Sequence, residues 1–126
     1  MDEITDILRI YIFDMDGNIC ENIPNEHPER FYYARPMVGA KEVINELYEK
    51  GNIIVVWTAR PEGRVTKEWF KRYGIKIHGL FFNKPRITKT HREYVFVDNN
   101  PVRGITNKDG KWNKFSIKNA KVMILE

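Results

Sequence analysis

The chain reads as an α/β domain built on a parallel sheet. Three observations point there. First, three apolar runs of strand length each end in polar residues: RIYIF (9–13) runs into DMDG, NIIVVW (52–57) into TAR, and EYVFV (93–97) into DNN. Second, these runs are rich in β-branched and aromatic residues and lack clean alternation, which suits strands covered on both faces. Third, helical periodicity lies between them, giving a strand–helix–strand–helix–strand order.

Taken in chain order, RIYIF supplies the first strand. Residues 19–36, with Pro24, Pro28 and Pro36, read as a long loop or flap. Ala40, Val43, Ile44, Leu47 and Tyr48 then follow the i, i+3, i+4, i+7, i+8 rule of an amphipathic helix, and Gly51 stops it. NIIVVW is the second strand. A second helix is expected from Arg64 to Tyr73, with Val65, Trp69, Phe70 and Tyr73 inward and Gly74 as terminator. GLFF (79–82) and KVMIL (121–125) are shorter strand candidates. Between them, Pro101 to Lys114 reads as a loop or small hairpin, with Gly104 and the turn pair Asp109-Gly110. Trp57, Trp69, Phe70, Phe81 and Phe82 are read as core.

At 126 residues the chain is one domain's worth, so residues 1–126 are taken as a single domain. Apolar residues make up 42% and charged residues 30%, a globular rather than disordered balance. No apolar run approaches membrane-spanning length, and the acidic start MDEITDILR lacks the regions of a signal peptide. A single cysteine, Cys20, allows no internal disulfide and fits a reducing cytoplasm. The formal net charge of +4 suits an anionic ligand as well as simple solubility, and no run of like charges marks a nucleic-acid arm. His27, His78 and His91 show no zinc spacing.

In open α/β sheets, ligands sit outside the carboxyl ends of the strands. Asp14, Asp16, Thr58, Lys84, Asp98 and Asn99 would all fall there. Those residue types fit phosphoryl transfer. A carboxylate can attack phosphorus and form an acyl phosphate, splitting one hard step into two. A second carboxylate can protonate the leaving oxygen and later activate water. A hydroxyl and an ammonium hold the phosphate oxygens, and Mg²⁺ on oxygen ligands offsets the charge. Asp14 is the expected nucleophile, Asp16 the general acid/base, Thr58 the hydroxyl and Lys84 the cation. Asp98 and Asn99 complete the metal site with Asp14 and Asp16. Ala59 and Arg60, directly after Thr58, are expected beside the substrate. Cys20 has no partner in this chemistry and is read as packing.

FDMDGN (13–18), VVWTAR (55–60), NKP (83–85) and VFVDNN (95–100) resemble, in order, the four motifs of the haloacid dehalogenase (HAD) superfamily. The likeness covers roughly residues 9–101 and is nearest to small capless phosphatases. Among these are the capsule-biosynthesis type and the phosphatase domains of polynucleotide kinase-phosphatases. The resemblance implies a three-layer sandwich with a central parallel, Rossmann-like sheet and no large cap. It also implies a Mg²⁺-dependent phosphomonoesterase acting through a phosphoaspartate on Asp14. In that scheme Asp16 also offers its backbone carbonyl to Mg²⁺, Thr58 and Lys84 bind the phosphoryl group, and the first and fourth motif strands are neighbours, bringing Asp98 beside Asp14. Two positions depart from the family pattern. Asn18 stands where Thr or Val is usual, and Asn99 where a second acid is common, which predicts weaker metal binding.

The short links between motifs leave no room for a large cap, so an open site is expected. It suits a phosphorylated small molecule or a polynucleotide end, or closure by a neighbouring subunit in a homo-oligomer. Two alternatives stay open: a receiver-like signalling domain, against which the order of the motifs argues, and a catalytically weak Mg²⁺-binding protein.

Overall fold

Two crossovers in the same direction shape this molecule. The computed structural model describes residues 7–123; the acidic stretch 1–6 and the end of the KVMIL run, 124–125, lie outside the described residues. Strand β1 (Ile10–Phe13) pairs in parallel with β2 (Ile53–Trp57), and β2 with β3 (Gly79–Phe81), in the order β1-β2-β3. Helix α1 (Ala40–Glu49) connects the first pair and α2 (Arg64–Tyr73) the second. Parallel crossovers are right-handed, so two successive steps toward the same edge put both helices on the same face. The contacts agree: Ala40 and Ile44 of α1 and Trp69 and Phe70 of α2 share one core with Phe13, Ile54 and Val56.

The fold is therefore α/β with a three-stranded parallel sheet, but the described residues form no third layer. Ile10 and Ile12, on the face away from the helices, are 66% and 61% exposed. Ile53 and Phe81 of that face are exposed too, which corrects Phe81 as a core residue. A helix could reach that face only by a crossover in the reverse direction, to a strand on the far side of β1. The sequence predicts that strand in the run 93–97. It is no strand here, and Tyr94, Val95, Phe96 and Val97 are all exposed.

Both helices lie where their periodicity puts them. Ala40 and Ile44 are buried, while Val43, Leu47 and Tyr48 pack against the core. Gly74 caps α2 in the left-handed conformation, φ 66°, which glycine adopts without penalty. The inward face of α2 is shifted from expectation: Thr66 is buried and Val65 is exposed, because the Thr66 hydroxyl accepts a bond from the buried Arg60. The 19–36 segment is no loose flap. It buries Ile19, Cys20, Ile23, Phe31 and Ala34 and contains a 3₁₀ turn, Pro28–Tyr33. The indole N–H of Trp69 donates to the Ala34 carbonyl at 2.8 Å, fastening this loop to α2. In the C-terminal part, β4 (Val102–Gly104) pairs antiparallel with β5 (Lys121–Met123) as a separate ribbon.

Candidate active site

The register of the sheet aligns the ends of its strands: Phe13 stands opposite Val56, and Trp57 opposite Phe81. Asp14, Thr58 and the residues after β3 thus emerge on one rim. The end of β3 is tied down further, since the Lys84 amide donates to the Thr58 carbonyl at 2.9 Å and the Asn83 amide to the Arg60 carbonyl at 3.0 Å. Asn83 makes the bend with φ 59°, a left-handed conformation that Asn tolerates better than most residues. That bend brings Lys84 Nζ to 3.8 Å from Asp14 Oδ1.

The two partners differ in accessibility. The Lys84 side chain is 12% exposed and that of Asp14 45%. Lys84 Nζ also sits 4.4 Å from the Tyr94 ring centre and 5.9 Å from that of Trp57. The Tyr94 hydroxyl donates to the Pro85 carbonyl, which seats the ring there. Partial burial pushes the Asp14 carboxyl above its usual range; Lys84 and the Met15 amide oppose this, Asp16 adds to it, and the Arg86 charge opposes it least of all. An anionic ligand approaching Asp14 thus meets a cation already held in place.

Asp16 points elsewhere. The turn that starts at Asp14 folds tightly: the Met15 carbonyl accepts from the Asn18, Ile19 and Cys20 amides, and Gly17 takes φ 77°. This geometry sends the Asp16 carboxylate inward to Arg60. Arg60 Nε donates to Oδ2 at 3.0 Å and Nη2 to Oδ1 at 2.8 Å. Arg60 is fully buried, the Asp16 side chain only 11% exposed, and the guanidinium lies 4.3 Å from the Phe31 ring centre. The same carboxylate oxygen accepts from the Cys20 thiol, whose proton burial holds well above the usual thiol range. Arg60, expected beside the substrate, thus faces Asp16 in the interior. Ala59 is half-buried and its carbonyl accepts from Asn25, while the fully buried Thr58 hydroxyl accepts from the Arg60 amide.

Asp98 and Asn99 are not gathered with these groups. Both are exposed, and their side-chain bonds run to Asn100 in their own turn. Among the described residues no cluster of three or more His, Cys, Asp or Glu side chains is arranged to hold a metal. As placed, the expected Mg²⁺ ligands do not fit the ion: Asp16 is spent on Arg60, and the Asp98 turn is bonded within itself. Tyr94 and Arg86 are the site residues that strand-end reasoning did not single out. For Arg86 the only local signal is its place two residues after Lys84.

No family model, curated protein or solved structure matches the chain. The fold and the rim define a coarser class: a small α/β protein whose parallel strands end in a half-exposed carboxylate beside a largely buried ammonium. No helix among the described residues is long and apolar enough to cross a membrane.

Proposed function

We propose that the chain is a phosphomonoesterase in which Asp14 is the nucleophile. The observation that carries this reading is the pairing of a half-exposed Asp14 with a largely buried Lys84, just past the carboxyl ends of β1 and β3, the parallel strands that flank β2. Lys84 attracts phosphate oxygens and orients the phosphorus toward Asp14. The carboxylate attacks, the ester oxygen leaves with its electron pair, and water then hydrolyses the acyl phosphate to free Asp14 and release inorganic phosphate. Asp16 is the acid/base of this reading and serves the leaving oxygen only after letting go of Arg60. The Thr58 hydroxyl and the Ala59 region belong to the neighbouring strand end, and in this reading they join the phosphate-binding rim only once the buried Thr58 is uncovered.

An open rim supports a substrate that is a phosphorylated small molecule or a polynucleotide end. Mg²⁺ dependence belongs to the same proposal and requires Asp98 and Asn99 to come to Asp14. The edge of β1, which pairs with no other strand among the described residues, and the exposed apolar run 94–97 support such an approach. The buried, unpaired Cys20 supports a reducing cytoplasm, and the bare sheet face a homo-oligomer. One alternative has an observation in its favour: the Asp16–Arg60 pair, which occupies the acid/base, suits a Mg²⁺-binding protein that is catalytically weak.

Hydrolysis of p-nitrophenyl phosphate, with and without Mg²⁺, tests the proposal. Turnover in the wild type that drops by about a thousandfold or more in Asp14→Asn is expected. Turnover that survives this change contradicts the nucleophile assignment. Mg²⁺ binding without turnover selects the weak alternative.

A further inference from the structure

The stretch after β4 carries no motif, yet it closes over the turn that presents Asp14. Trp112 is buried there, its ring centre 5.6 Å from that of Phe13 and 5.3 Å from that of Phe115. Its indole N–H donates to the Asn18 carbonyl at 2.7 Å. Asn107 Nδ2 donates to Asn18 Oδ1 at 2.7 Å. Asn18 Nδ2 in turn donates to the carbonyl of Asp14 at 2.9 Å. One side chain therefore links the C-terminal segment to the peptide group of the nucleophile.

An amide suits this position because it donates and accepts through separate atoms, which a Val cannot do at all. The fit is close around it. Gly110 is buried with φ 60°, and a Cβ there would stand 2.9 Å from the Asn18 carbonyl oxygen and 2.9 Å from Met37 Cγ. The segment reaches Asn18 across sequence separations of 89 and 94 residues, so ordering the turn depends on docking of a distant part of the chain.

We propose that residues 105–119 act as a clamp on the catalytic turn, with Asn18, Asn107 and Trp112 as positioning residues that hold Asp14 toward Lys84. The inference rests on the phosphomonoesterase reading and extends it to the C-terminal segment. It explains why an asparagine follows Gly17, and it gives a role to a segment that would otherwise be an appendage.

The test uses the full chain. Asn107→Ala removes the outer link alone, and Asn18→Asp keeps the acceptor for Asn107 but loses the donor to Asp14. In both, kcat for p-nitrophenyl phosphate is expected to fall about tenfold, with KM within about twofold. Amide exchange at Asn18 and Ile19 is expected to quicken by about tenfold, while exchange at the core amide of Ile54 stays unchanged. Lys108→Ala, an exposed neighbour, should alter neither readout. Unchanged exchange at Asn18 and Ile19 in Asn107→Ala overturns the clamp, whatever happens to activity. If the wild type hydrolyses no phosphomonoester, the phosphatase reading fails by itself, and the exchange comparison still decides whether the clamp exists.

Discussion

The two faces of the β1–β2–β3 sheet are made of the same kinds of residue and meet different surroundings. Phe13, Ile54 and Val56 point to the side that carries both helices and are buried. Ile10, Ile12, Ile53 and Phe81 point to the other side and remain exposed. Composition does not distinguish these faces; connectivity does. Each crossover in this sheet steps toward the β3 edge, so each helix falls on the same side. The acids after β1 repeat the contrast at close range. Asp16 turns to the packed interior and meets Arg60, while Asp14 stays on the open rim beside Lys84. The first environment suits an ion pair that stabilises the fold, the second a group that meets a ligand.

The contrast can be broken from the interior outward. The largest expected effect on stability is that of Arg60→Ala, which strands a nearly buried Asp16 carboxylate and removes the cation over Phe31. Loss of one partner of such a pair should cost about 3–5 kcal/mol, read from urea unfolding. Ile54→Ala on the packed face should cost about 2–5 kcal/mol through lost transfer energy and the cavity left behind. Ile12→Ala, one strand away on the bare face, should fall within about 0.5 kcal/mol of the wild type. Equal costs at Ile54 and Ile12 would mean that the second face is covered in solution.

The smallest effect is that of Asp14→Asn on stability, and its sign is informative. Burial raises the folded-state pKa of Asp14 above its unfolded value. Its contribution to stability is therefore full below the unfolded pKa and is lost as pH rises through the folded pKa. At neutral pH the ionised carboxylate is a burden, so Asp14→Asn should melt slightly higher than the wild type, with the difference vanishing in acid. A lower melting point at neutral pH would show that the Lys84 pair outweighs desolvation.

How much of this was legible in the sequence follows from the range of each interaction. β1, β2, β3 and both helices were readable because period and capping are local: Ala40, Ile44 and Gly74 do what their spacing says. The inward face of α2 departs from its apolar spacing at Val65, because that spacing does not register the need of Arg60 for the Thr66 hydroxyl. The run 93–97 has the composition of a strand, but a strand also requires a paired edge, and composition carries no information about that. For the same reason the expected gathering of Asp98 with Asp14 had no local support. The prolines of 19–36 signal a flap, but they say nothing of the contacts that Phe31 and Ala34 make with Arg60 and Trp69. The Asn18, Asn107 and Trp112 links bridge distant parts of the chain, and no local pattern announces them.

The most direct test of the central claim is mass spectrometry of the protein quenched during turnover of a phosphomonoester. A phosphoryl adduct on the peptide containing Asp14, absent in Asp14→Asn, is the expected result. Active turnover with no adduct at Asp14, or with an adduct on another residue, would contradict the assignment.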